Sequence, residues 1–418
     1  MAPLYLIKTS LSQLAIKLFN NGKGIIPSNR KGVFLTLFFA IFTTVTGVGI
    51  VVPLLPVYAN ELGATGIYVG MIFGSFSISR IFLLPVFGRL SDQKGRKPFI
   101  VAGLAAYTLI SFAFIFSKNI ETLIILRFIQ GAGSAMIMPV VQAYVGEITP
   151  EGSEGYSMGL FNLSMFLSLS LGPLIGGGIK DIWSLDAAFI CMGVLSCIGL
   201  LLCIFFLPPV FEENTKTSKT KIVPWSNLLK DKGIISLFVF RYAYTACIGV
   251  IWCFLPIFAD TEFGLSGSLI GVLVMLGVFV SGFLSLPMGY VADRANKDLM
   301  IIFGGTLSTI GMLLPFFASS FYDLVIAVSI FGIGGGISMP AIMAYAVIKG
   351  DTKKAMGSVI SILTVAHSMG MLTGSIVAGL AMDYLSLRLS FPCGTIIMAL
   401  GTFSFFISCH KNTRQRKF

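Results

Sequence analysis

Gly88-Arg89-Leu90-Ser91-Asp92-Gln93-Lys94-Gly95-Arg96-Lys97 is a short polar interruption between two long apolar stretches. Its first and fifth residues return 201 positions later in Gly289-Tyr290-Val291-Ala292-Asp293. The same offset links Gly133, Met138, Pro139 and Tyr144 to Gly334, Met339, Pro340 and Tyr345. Leu55-Pro56 finds its counterpart in Leu255-Pro256. Glycine and proline are common in membrane helices, so one match means little. Several at one spacing indicate a chain built from two copies of one unit, a pattern that places a site between the halves near mid-depth.

Composition says what the unit is made of. The chain has 418 residues, 56% hydrophobic and 11% Asp, Glu, Lys or Arg, whereas soluble domains carry about 25% charged residues. Mean hydropathy is +0.91. A water-soluble enzyme and a disordered chain are both excluded, the latter by 37 Phe alone. Two His leave no His-built metal centre, and seven Cys, an odd number with no CxxC spacing, give neither a disulfide framework nor a zinc site. The cysteines read as small apolar residues, and no cofactor is called for.

Twelve stretches are long enough to cross a bilayer. Six run Val33–Tyr58, Ile67–Leu90, Phe99–Phe116, Leu123–Val145, Ser157–Ile179 and Ala187–Leu207. Six more run Ile234–Phe258, Ser268–Val291, Leu299–Ala318, Leu324–Ile348, Met356–Ala381 and Leu389–Cys409. Each is continuously apolar, which favours helices over the alternating strands of a membrane barrel. The expected fold is all-α, with bundles at 33–207 and 234–409 joined by a linker at 208–233. Residues 1–32 form a leader in which Leu4, Ile7, Leu11, Leu14 and Leu18 recur at helical spacing, as in an interfacial helix, and 410–418 form a basic tail. Because Arg30-Lys31 directly precedes a full-length span, the leader is not read as a cleavable signal.

With an even number of crossings both termini share one side, and 23 of the 29 Lys and Arg fall in segments on that side. Opposite loops hold only Lys118, Lys180 and Arg388, and Arg80, Arg127 and Arg241 lie inside spans. This asymmetry places both termini in the cytoplasm. The net charge of +11 is therefore a topology signal, and nucleic acid is not an expected partner.

The loop Gly88-Arg-Leu-Ser-Asp92-Gln-Lys-Gly95-Arg96-Lys97 resembles a signature of the major facilitator superfamily of secondary transporters. Arg127-Phe-Ile-Gln130-Gly131 matches that superfamily's Arg-x-x-Gln-Gly pattern. Gly159, Gly172-Pro173 and Gly176-Gly177 resemble the fifth-span motif of its drug:proton antiporters, with Ser168 replacing one glycine. The resemblance covers Val33 to Cys409. It implies a monomeric multi-pass transporter in which the halves rock about a central site. Gly88, Asp92, Gly95, Arg96 and Lys97, with Gly289, Asp293 and Arg294, would latch the cytoplasmic side. The fifth span would pack on the eighth, and Arg127 would serve proton coupling.

On a helical wheel Arg127 shares a face with Gly131, Ser134, Met138 and Gln142, and a cation inside a span should face a partner or a wet cavity. Arg80 and Arg241 read as close enough to the ends to snorkel. All eighteen Asp and Glu lie in loops or at span ends, so the buried carboxylate usual in drug antiporters is missing. His367, about eleven residues into its span, is either the titratable group near the midplane or a packed core residue. Glu61, Asp260 and Glu262 remain as coupling candidates at the outer ends. Gln142, Asn162, Trp252, Tyr345 and His367 combine ring surface with hydrogen-bonding tips, suiting a cavity for amphipathic solutes. The reading is proton-coupled export of such molecules from a cell, most simply across a bacterial inner membrane. An importer of an organic acid or sugar is the alternative. A membrane enzyme would need clustered catalytic groups and a sensor would need an output domain, and neither is evident. No Walker sequence accompanies the glycine-rich spans, so ATP is not the energy source.

Overall fold

The structure is a computed structural model that describes residues 28–149, 154–208, 228–353 and 355–415. The leader 1–27 and most of the linker, 209–227, lie outside the described residues, as do the side chains of Arg89 and Asp92. Among the described residues there are twelve helices long and apolar enough to cross a membrane. Helix α1 comprises Ser28–Val51 and, after a turn at Val52-Pro53, Leu54–Glu61. The N-terminal bundle continues with α2 (Gly66–Lys94), α3 (Arg96–Ala113), α4 (Ile120–Ile148), α5 (Glu154–Ile182) and α6 (Leu185–Phe206). The C-terminal bundle holds α7 (Lys232–Phe263), α8 (Gly267–Arg294), α9 (Lys297–Leu313), α10 (Phe321–Thr352), α11 (Met356–Tyr384) and α12 (Ser390–Gln415). Several bounds differ by a few residues from expectation: α1 starts five residues before Val33, α7 ends five after Phe258, and α12 runs through Gln415, so most of the expected tail is helix.

Polar residues set the ends. Asn119, Ser184, Ser266 and Ser320 each accept a backbone N–H from the first turn of the helix they precede, which satisfies donors that lipid cannot. Gly95 alone separates α2 from α3, with φ +88°, a backbone conformation that costs a residue with a Cβ. Within the spans glycine sets the spacing. Gly103 of α3 crosses α4 so closely that a Cβ would lie 3.0 Å from the Gly133 carbonyl oxygen. Gly304 of α9 meets the Gly334 oxygen of α10 in the same way, at 2.6 Å, and both pairs obey the 201-residue offset. Lipid is as apolar as a leucine, so close packing of this kind replaces the hydrophobic effect as the force between helices. Phe82, Leu109, Phe283 and Leu400 point outward and are more than three-fifths exposed, as a lipid-facing surface requires.

The bundles repeat one packing scheme. Helix α1 packs on α6, α2 on α4 and α3 on α4; equivalently, α7 packs on α12, α8 on α10 and α9 on α10. They meet through two seams, α2 against α11 and α5 against α8. Both seams close at the face away from the termini. The cores record the asymmetry. Ile50, Phe73, Phe114 and Phe189, from the far half of the N-terminal bundle, belong to one core with the C-terminal bundle. Phe34, Leu37, Ile100, Val141 and Phe161, from its termini half, form a separate core.

At the termini face Asp231, only 14% exposed, caps α7 through the N–H of Gly233 (2.9 Å) and pairs with Lys349 (3.1 Å) and Lys353 (3.3 Å). Burial acts to raise the pKa of its carboxyl, but Lys349, Lys353 and the N–H donor outweigh this and hold it below the usual carboxylate range. A depressed folded-state pKa gives stability that is complete above the ordinary Asp value and lost as pH falls through the lowered one. Asp231→Ala is therefore expected to cost about 1–2 kcal/mol in thermal unfolding of the purified protein at neutral pH. The difference from wild type should fade below about pH 4. A difference that persists at pH 3 would mean the side chain acts by packing instead.

Candidate functional site

Two carboxylates close the far face. Thr65 precedes α2 but makes no side-chain cap. Instead Asp383, at the end of α11, accepts the N–H of Gly66 (2.5 Å) and of Ile67 (2.8 Å) from the other half. On the second seam Asp181, at the end of α5, accepts the N–H of Gly267 (2.9 Å) and of Ser268 (2.7 Å) at the start of α8. Each helix start thus receives its negative cap from the opposite bundle, with the favourable dipole sign. Small residues permit the approach. Gly70 faces Ser375, whose hydroxyl donates to the Gly70 carbonyl oxygen at 3.1 Å. On the other seam Gly177 faces Gly267, and Gly271 faces Pro173.

The seams part toward the termini. Gly66, Gly70 and Gly74 lie on one face of α2, since a helix turns 100° per residue, and all three press on α11. Gly88 shares that face and has no atom within 4 Å of where a Cβ would stand. Helix α8 behaves alike: Gly267, Gly271 and Gly282 contact α5, and Gly289 contacts nothing within 4 Å. On both seams the close glycine contacts therefore lie toward the far face and stop short of Gly88 and Gly289 at the termini face.

Among the described latch residues, Arg96 and Lys97 make hydrogen bonds within the N-terminal bundle. Arg96 donates to Glu147 at 2.7 Å and to the Ser91 hydroxyl at 2.8 Å, so Glu147 of the fourth-to-fifth segment is a partner of the loop. Lys97 donates to the carbonyl oxygens of Ile204 and Leu207 at the end of α6. Asp293 is exposed, and Arg294 lies 3.6 Å from the centre of the Tyr290 ring. The side chain of Asp92 lies outside the described residues.

Several expectations change. Arg80 and Arg241 do not snorkel: Arg80 sits mid-helix and Arg241 is the tenth residue of α7, and both face protein. Arg80 lies 5.6 Å from the Phe76 ring with a shielded, unpartnered Nε. Arg241 directs one nitrogen at Met339 Sδ and another toward His367 Nδ1 at 3.4 Å. Arg127, 5% exposed, donates to Gln130 at 2.8 Å and lies over Phe73 (4.7 Å) and Phe76 (5.0 Å). The small residues on its face do not line an open path: Gly131 presses on α2, and Ser134 hydrogen-bonds Tyr107 of α3. The fifth-span motif divides its contacts, Gly172 and Gly176 packing on α1 while Pro173 and Gly177 pack on α8. Ser168 bonds the Phe42 carbonyl oxygen at 2.9 Å. Gly159 lies near the start of α5.

Of the cavity candidates, His367 joins Arg241, and Gln142 and Asn162 are exposed. Trp252 and Tyr345 are half-buried against the main core. Glu61 pairs with Lys180 at 3.5 Å and Glu262 with Arg388 at 3.2 Å, so both carboxylates are taken at the far face. Asp181 and Asp383 went unnoticed in the sequence. Their 202-residue separation, beside the 201 between Gly66 and Gly267, was the available signal.

Removing both caps should loosen the far seal. Partly exposed caps contribute about 1 kcal/mol each, so Asp181→Ala with Asp383→Ala should raise the far-open population roughly 30-fold. Spin labels at Thr65 and Tyr384 would report this as a longer second distance. An unchanged distribution would show that glycine packing alone holds the seal.

Sequence comparison agrees with this architecture. The chain is 29% identical over 363 residues to an uncharacterized MFS-type transporter of Methanocaldococcus jannaschii, covering 86% of this chain and 93% of that one. It is 25% identical to multidrug resistance protein 1 of Bacillus subtilis, covering 89% and 95% of the two chains. It is also 25% identical to the quinolone resistance protein NorA of Staphylococcus aureus, covering 85% and 90%. Among solved structures, a bacterial homolog of the human lysosomal transporter Spinster, inward-facing and occupied, superposes with a TM-score of 0.78 at 12% identity, covering 93% and 98%. The nucleoside transporter NupG gives 0.74 at 12%, covering 90% and 98%. The profile of the Major Facilitator Superfamily matches residues 37–346 and 243–417, and with twelve spans in two equivalent bundles the chain belongs to that superfamily of membrane transporters.

Proposed function

We propose that this protein exports amphipathic small molecules by alternating access, coupled to the proton gradient, as a monomer in a bacterial inner membrane. The carrying observation is the one-sided seam: glycine-lined and doubly capped at the far face, free at Gly88 and Gly289. A space open to one side at a time is what transport against a gradient requires. The 23 basic residues on the termini side support a cytoplasmic setting for the open face, so the observed arrangement is inward-open. Multidrug and quinolone resistance proteins among the relatives support the export direction and the solute class.

In the outward-open state the loops at Asp92 and Asp293 close the cytoplasmic face, Asp92 as an anion against a helix start or a cation of the other half. The second loop lacks the Gly-Arg pair of the first, so the two latches are unequal. His367 is the coupling group in this reading, an imidazole on the seam whose Nδ1 lies 3.4 Å from the Arg241 guanidinium. Arg127, held by Gln130 and two rings, is a fixed buried cation in the N-terminal bundle. A second reading, uptake of an organic acid together with protons, draws support from the arginines gathered at the seam.

Efflux of a fluorescent-solute panel from a transporter-depleted host, with and without an uncoupler, tests the proposal. Uncoupler-sensitive efflux is expected, and uptake favoured in right-side-out vesicles would reverse the direction. Asp92→Asn should lower efflux about tenfold or more while insertion stays intact, and wild-type rates would remove the gating role. Efflux by His367→Ala that still responds to the uncoupler would remove the coupling role.

A further inference from the structure

Three guanidinium groups lie inside the spans without a carboxylate. The described ion pairs join Arg96 to Glu147, Lys180 to Glu61, Lys349 and Lys353 to Asp231, and Arg388 to Glu262, all at helix ends. None involves Arg80, Arg127 or Arg241. Their partners are neutral: rings for Arg80, a carboxamide and rings for Arg127, and a thioether and an imidazole for Arg241. A thioether is a poor acceptor. The Nε atoms of Arg80 and Arg127 are buried with no acceptor at all. Buried cations are normally paired, so this positive charge calls for a counter-ion that the described residues do not supply.

Their placement names it. Arg80 and Arg241 are the two cations near enough to act electrostatically on His367. Arg80 belongs to the N-terminal bundle, and Arg241 and His367 to the other. Gly74 against Leu372 is the deepest close glycine contact on this seam. Arg80 and His367 come about one and a half helical turns below it, at the head of the open space, and Arg80, Arg241 and His367 are all only half-buried. Phe76 and Met339 add apolar surface beside them.

We propose that the transported solute carries an acidic headgroup, a carboxylate or sulfonate, that seats between Arg80 of one bundle and Arg241 with His367 of the other, its apolar body lying in the open space. The guanidinium fork matches such a headgroup in two parallel hydrogen bonds. An amphipathic cation, by contrast, would meet like charge from both bundles and no acceptor carboxylate among the described residues. One headgroup bridging both bundles also draws the halves together at the termini face, which links occupancy to the conformational change. The assignment rests on the reading of this space as a transport site, and holds for either direction of movement.

The test uses the purified full chain and three probes that share a dansyl-dodecyl body: a carboxylate, its neutral amide and a trimethylammonium. Binding is followed by dansyl fluorescence and exchange by counterflow in proteoliposomes. The carboxylate should bind at least about tenfold more tightly than the other two. Arg80→Gln and Arg241→Gln should erase that preference without weakening the amide, while Arg241→Lys should retain part of it. Arg388→Gln, at the far face, should change nothing, and thermal unfolding close to wild type establishes that each variant folds. Equal or tighter binding of the ammonium or amide, no binding of any probe, or a preference that survives the double Arg80→Gln/Arg241→Gln change overturns the assignment. Counterflow of the ammonium or amide in preference to the carboxylate also sinks it, and leaves the transport reading standing. Carboxylate binding that depends on both arginines without counterflow upholds the anion site and removes the transport reading instead.

Discussion

Close backbone approach between the two bundles at one face is the constraint on which the rest of this structure depends. In lipid there is no solvent force to hold helices together, so contact must come from packing and from satisfied polar groups. Gly66, Gly70, Gly177 and Gly267 provide the first. Asp181 and Asp383 provide the second, each accepting two first-turn N–H groups of a helix in the other bundle. The bond is made at the ends of rigid helices, so separating a few hydrogen bonds at the rim frees a whole seam. A seal of that type is strong enough to define a state and weak enough to be exchanged for another.

The arginines pose the opposite problem. Inserting a cation at mid-span costs about 2.5–3.5 kcal/mol each, and rings over Arg127 return on the order of 1–2 kcal/mol. The balance is met only if water or a solute anion reaches the seam. Arg80 and Arg241 are only half-buried where the halves part, which lowers the desolvation cost of their charge. In the proposed site a buried carboxylate beside Arg241 would neutralise the group that receives the acidic headgroup.

Much of this could be read along the chain. Span count, the equivalence of the bundles and the sidedness of charge follow from local composition and spacing, and the spacing of Gly133 and Gly334 anticipates the tight α3–α4 and α9–α10 crossings. In the fifth span Pro173 and Gly177 meet α8, whereas Gly172 and Gly176 face α1. A helical wheel gives the angle between residues but not which neighbour stands at that angle. The same limit misplaced Arg80 and Arg241: distance from the loop suggested snorkelling, whereas direction was set by helices far away in sequence.

The sequence by itself determined that this is a duplicated, twelve-helix membrane protein with its positive charge on one side, because hydropathy, repeat offset and loop charge are properties of contiguous residues. Only the tertiary structure decided which face is sealed, that Asp181 and Asp383 do the sealing, and that arginines from both halves converge on His367. Those are facts about helices 86 or more positions apart, brought together by packing angles that no local pattern encodes.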